Sequence, residues 1–184
     1  MSQKIPIELA QPVRDEIETS PLSEELISGF NDPGTIKVLT TTDEEGNPYS
    51  VIKSSFKALD ARTLAYMELI FRSRTYQNLL RNKYDKKLVS VTIFNPEKMI
   101  SYQIRGELVA FFDHGPLWDQ MRNETWSTIP DATPAGVWVI APKEVINEDY
   151  AVRQDEADKR VIHSKLWRQF FGRKPRHPDF MLKK

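Results

Sequence analysis

The segment Phe71-Arg72-Ser73-Arg74-Thr75-Tyr76-Gln77-Asn78 is rich in hydrogen-bond donors and is followed by no carboxylate until Asp85. Groups of this kind hold an oxyanion when they converge. Arg74 supplies a planar fork, Ser73 and Thr75 supply hydroxyls, and the N-terminus of a helix adds backbone N–H groups. Asn78 lies one turn further on and can face the same side. Lys53, inside the strand-like run "SVIKSSF", is a cation in an unusual place and could reach the same anion from a neighbouring strand. The competing reading is that Ser73 merely caps the helix and the arginines are solvated.

Other chemistries find less support. The histidines are His114, His163 and His177, and none has a second histidine three or four residues away, so no metal site is expected. There is no cysteine, which excludes disulfides and thiolate chemistry. The glycine-built phosphate loops and the G-x-S-x-G elbow are missing. The basic tail "GRKPRHPDFMLKK" (172–184) reads as a solvated terminus. Phe56, Tyr66 and Tyr102 sit on strands with no basic stripe beside them, so nucleic-acid binding is not expected.

The 184 residues suffice for one domain, and 26 basic residues balance 26 acidic ones. Any anion site must therefore be local. The N-terminus lacks the apolar core of a secretory signal, and no run approaches the ~20 apolar residues of a membrane span. The expectation is a cytoplasmic protein that does not engage a membrane.

The elements that must position these residues are mostly strands. "TIKVLTTT" (35–42), "YSVIKSSFKAL" (49–59), "TLAYMELI" (63–70), "KLVSVTIF" (87–94), "MISYQIRGELVAFF" (99–112) and "AGVWVIAPKEVI" (135–146) give six. Ile100, Tyr102 and Ile104 alternate with Ser101, Gln103 and Arg105, while Pro142 should make the end of the last strand an edge or bulge. Short helices are expected within 20–30, capped by Ser23, and over 74–83 and 115–126. Residues 155–172 are expected to form an amphipathic helix, since Ile162, Leu166 and Phe170 recur at helical spacing. The fold class is therefore mainly β with flanking helices, a six-stranded antiparallel β-barrel, closed or split. The expected organisation is an arm (1–20), a barrel domain (21–150) and a C-terminal helix with a basic tail (151–184), packing on the barrel or on a partner.

The order of motifs resembles the pyridoxamine 5'-phosphate oxidase-like family, the FMN-binding split barrels. The turn Asp43-Glu44-Glu45-Gly46-Asn47-Pro48 has the form of the family's D-x-x-G-x-P. Ser73-Arg74-Thr75-Tyr76-Gln77-Asn78-Leu79 matches its small-basic-basic-x-x-N-L segment, and Arg105-Gly106 matches its late basic-glycine pair. The resemblance covers about residues 22–147. It implies that Lys53, Ser54 and Ser55 line a flavin, that Glu68 and Leu69 lie along its rings, and that Ser73, Arg74 and Thr75 hold its phosphate with Asn78 in support. Gln103 is a further candidate for the ring edge. Thr75 stands where the family has a second basic residue, which leaves the phosphate to Arg74 with Lys53 or Arg72. The resemblance also implies a homodimer with flavin at the subunit interface and an FMN-dependent oxidoreductase of unidentified substrate. No acid–base catalyst is recognisable, and the C-terminal pattern of authentic pyridoxamine phosphate oxidases is not found, so that substrate is not carried over. Two alternatives stand beside it: a non-enzymatic binding protein on the same barrel, carrying flavin, haem or another anionic ligand, and a dimeric interaction module.

Overall fold

The computed structural model describes the backbone of residues 20–171 and the side chains of residues 20–160. The expected arm apart from Ser20, the basic tail and the apolar face assigned to Ile162, Leu166 and Phe170 lie outside these described residues. The chain divides into two compact units, Met1–Asn147 and Glu148–Lys184.

In the first unit the order is α1 (Glu24–Asn31), β1 (Ile36–Thr42), β2 (Pro48–Ile52), β3 (Lys57–Asp60), β4 (Thr63–Glu68), α2 (Arg74–Tyr84), β5 (Val89–Asn95), β6 (Ile100–Phe112), α3 (Pro116–Thr128) and β7 (Gly136–Asn147). The second unit holds α4 (Tyr150–Phe171), where Arg153 pairs with Glu148 at 2.5 Å and Glu156 at 2.7 Å. No described helix is long and apolar enough to cross a membrane.

The sheet is antiparallel, in the order β2-β1-β5-β6-β7-β4-β3. It has seven strands, not six, because the run expected to be one strand over 49–59 is broken at Lys53–Phe56. Lys53 N–H still donates to the Lys37 carbonyl of β1 at 2.9 Å, and Phe56 N–H then turns back onto the Lys53 carbonyl at 3.3 Å. Burial of Phe56 explains the break. Its ring is 1% exposed and meets Tyr66 at 4.7 Å and Phe30 at 6.0 Å, between centroids. The four residues span at most roughly 14 Å, yet they join strands at opposite edges of the sheet. The sheet must therefore curl on itself, and the barrel is split where β2 gives way to β3.

Leu39, Val91, Ile93, Ile104, Trp138 and Ile140 fill the interior, with Leu26 and Phe30 of α1 and Leu79 of α2 packed against them. A second cluster, containing Ala65, Met67, Val137, Val139 and Met121 of α3, covers the outside of β4 and β7. β4 is consequently buried on both faces along its whole length. Ser23 caps α1 as expected, its Oγ accepting from Leu26 N–H at 3.1 Å. β7 has a register shift opposite Arg105/Gly106, next to Pro142. Beyond this bulge its last residues pair with β6, whereas β4 pairs only as far as Ile140. Gly136 is required by packing, since a Cβ there would lie 2.1 Å from Phe111 Cζ.

Candidate functional site

The break at Lys53–Phe56 faces the end of β4. Lys53 Nζ lies 3.2 and 3.3 Å from the two carboxylate oxygens of Glu68. The Tyr66 hydroxyl donates to Glu68 Oε2 at 3.1 Å. Glu68 is 1% exposed, so its charge is held by these two donors and by Ile70 N–H at 3.4 Å. The ammonium also lies 5.1 Å from the centroid of the Tyr66 ring. Burial pushes the Tyr66 phenol well above its usual value, and the adjacent Glu68 charge adds to the shift. Ser55 Oγ donates to the Met67 carbonyl at 3.0 Å, tying the break to β4.

A cleft of about 510 Å³ opens here. Lys53, Ser54, Ser55, Glu68 and Leu69, all singled out in the sequence, form one wall. The other is formed by the last two turns of α3, with Met121, Glu124, Thr125, Ser127 and Thr128, leading to Ile129. Lys57 crosses between the walls to pair with Glu124. The mouth is apolar: Ile52, Ile70 and Ile129 are 66%, 65% and 47% exposed. Sequence reasoning missed the α3 wall. The visible signal was Trp126-Ser127-Thr128, hydroxyls at the end of a helix whose only buried residue is Met121.

From the cleft, β4 runs through Leu69–Arg72 into α2. Ser73 is the N-cap, its Oγ accepting from Tyr76 N–H at 3.0 Å, which leaves its own proton for another acceptor. The amides of Arg74 and Thr75 begin the helix and have no partner within it. There is no acidic residue in the first turn. Arg74 rests over the Tyr49 ring of β2 at 5.4 Å, and no described carboxylate pairs with it. Thr75 is buried. Asn78 turns inward, donating to Thr41 Oγ1 at 3.1 Å and accepting from Arg81 at 3.3 Å. It thereby fixes α2 to β1.

Gln103 is not brought to the cleft. It lies half-buried on the outer face of β6, in a row with Thr92, Val38 and Ile52 across β5, β1 and β2. At about 4.8 Å per strand it stands roughly 14 Å from Ile52. Among the described residues no group of three or more histidines and acids could hold a metal ion.

No family model matches the chain, and no curated protein is significantly similar to it. Solved structures are similar. HupZ of Group A Streptococcus shares 19% identity at a TM-score of 0.57, over 70% of this chain and 95% of its own. A candidate pyridoxamine 5'-phosphate oxidase from Lactobacillus delbrueckii shares 22% at 0.55, over 71% and 97%. An FMN-binding protein from Syntrophomonas wolfei shares 14% at 0.54, over 77% and 89%. At these identities the likeness concerns the fold: the chain is built as a split barrel of the kind found in pyridoxamine 5'-phosphate oxidase-like and FMN-binding proteins.

Proposed function

We propose that this protein binds FMN and acts as an FMN-dependent oxidoreductase. The observation that carries the reading is one continuous path along β4 and into α2. It joins a cleft lined by Lys53, Ser54, Ser55, Glu68 and Leu69 to a helix start bearing Arg74, Thr75 and Ser73. The residues fit the cofactor. The cleft's volume lies within the ~300–1,000 Å³ of small-molecule sites, and its apolar lips suit a flat ring system. The α2 amides and Arg74 are donors left over for a phosphate.

Bound flavin would supply the redox chemistry. The chain's own residues would bind and orient it. Arg74 and the helix amides hold the phosphate, Ile52 and Ile70 shield the ring from water, and Lys53, paired with Glu68, keeps an N–H donor at the cleft floor. Asn78 serves indirectly, by anchoring α2. A homodimer is part of the proposal. Ile36, Ile52 and Phe94 are exposed on the sheet face that carries Gln103, and a second copy covering that face would bring its Gln103 toward the first copy's flavin.

Titration with FMN and with riboflavin tests this reading. FMN should bind at least tenfold more tightly than riboflavin, because only FMN carries the phosphate. Arg74→Ala should remove most of that difference. A protein that takes up neither compound does not have the proposed function. Undiminished FMN affinity in the variant would exclude Arg74 as the anchor.

A further inference from the structure

The α3 wall of the cleft differs from the β wall in a way that bears on what shares the site with the flavin. Its hydroxyls have already committed their protons. Ser127 Oγ donates to the Glu124 carbonyl at 2.7 Å, and Thr125 Oγ1 donates to the Met121 carbonyl at 2.8 Å. Thr128 Oγ1 makes a longer contact with the Glu124 carbonyl, at 3.5 Å. Across the cleft Ser55 is in the same state, donating to Met67. A hydroxyl has one proton and two lone pairs, so each of these groups presents only an acceptor to the space between the walls.

The charges point the same way. Lys57 is paired with Glu124 and Lys53 with Glu68, so each ammonium in the cleft has a carboxylate partner. The last turn of α3 contains no basic residue. The carbonyls ending the helix, with their partial negative charge, are therefore not offset from within it. A carboxylate or phosphate placed against α3 would meet lone pairs and the negative end of a helix. A group carrying N–H would meet acceptors.

We infer that the α3 side of the cleft recognises a hydrogen-bond donor, an amide or amine nitrogen, on the substrate of the flavin site. The term substrate rests on the flavin reading. The acceptor wall itself does not. The anionic end of the cofactor and the donor end of the substrate would then occupy opposite ends of one site, with Arg74 at one and Ser127 at the other.

The test uses benzamide, benzylamine and benzoate as probes of matched ring size, with binding to the full chain followed by ligand-observed NMR with and without FMN. Benzamide and benzylamine should each bind at least tenfold more tightly than benzoate. Ser127 is exposed, so Ser127→Ala should fold normally; it should reduce this preference roughly 2- to 10-fold. Thr125→Val in addition should reduce it further. Benzoate binding as well as benzamide overturns the inference, as does a preference unchanged in both variants. FMN titration of the same samples separates the two readings. FMN uptake without any amide preference defeats only this inference. An amide preference without FMN uptake supports the acceptor wall and defeats the flavin reading.

Discussion

Lys53 lines the cleft and Arg74 opens the helix that follows β4 out of it, yet the surroundings of these two cations are opposite. Lys53 has two oxygens of a buried carboxylate within 3.3 Å, and that carboxylate is also held by Tyr66. Arg74 has an aromatic ring beneath it and no described acid beside it. The first arrangement satisfies its charge internally and fixes the geometry of the β2–β3 break against β4. The second leaves a guanidinium and two helix amides with unused donors. A neutral chain can therefore hold an anion at α2 without any global positive charge, because it keeps acids away from one helix start.

The sharpest way to break this contrast is to remove the acid from the first region. Glu68→Ala leaves Lys53 without its counter-charge and Tyr66 without its acceptor. Breaking a largely buried pair from one side costs about 3 kcal/mol or more, read as a lower urea midpoint at unchanged slope. Lys53→Met combined with Glu68→Gln should recover part of the loss, since no unpaired charge then remains. Arg74→Ala should behave oppositely. Its stability should stay within about 0.5 kcal/mol of the parent, whereas FMN affinity should fall roughly 10- to 100-fold, the worth of a charge-assisted hydrogen bond. If Arg74→Ala unfolds the protein as readily as Glu68→Ala, the two regions are not divided as described.

Gly136 connects the regions, since it pairs with Glu68 across β4 and β7. A methyl group there would strike Phe111, whose ring packs on Tyr76 of α2 at 5.4 Å and on Trp138 at 4.7 Å. Gly136→Ala should cost about 1–3 kcal/mol through overpacking. Because the displaced ring supports the first turn of α2, FMN affinity should fall with it. Thermal denaturation and FMN titration on one preparation check both effects.

These regions were legible in the sequence to different degrees. The alternation of Val89, Val91 and Ile93 and the cap at Ser73 are local signals, and the folded chain obeys them. Arg74 could be recognised because no acid follows it for a whole helix. The pairing of Lys53 with Glu68 could not, since it depends on the curl that brings β2 and β4 together across the split. The break at Lys53–Phe56 was hidden for a similar reason: Val51, Ile52 and Phe56 suit a strand, and only the need to bury Phe56 turns the chain. Gln103 lies on the polar face of its strand, but strand order, which periodicity does not report, sets it three strands away from Ile52 at the cleft mouth.

A third cation gives the smallest but most specific contrast. Lys37 sits on β1, its carbonyl bonded to Lys53 N–H, and is 5% exposed. Among the described residues its Nζ reaches the Asp32 carbonyl, at 3.5 Å, and no carboxylate lies within ion-pair distance. Burial lowers its pKa from the ordinary lysine value of 10.5; the Asp32 charge opposes the shift and Lys57 adds to it. The sign follows directly. Between the lowered folded pKa and 10.5 the unfolded chain binds more protons than the folded one, so stability attributable to Lys37 rises with pH across that window. At pH values below the folded pKa, burying the charged form is a net cost. Lys37→Met should therefore raise the melting temperature modestly at neutral pH, with the advantage over the parent shrinking as the pH approaches that of free lysine. The same substitution at Lys53 should destabilise at neutral pH, because it strands Glu68. A Lys37→Met advantage that did not change with pH would mean that packing, and not the buried charge, separates the two lysines.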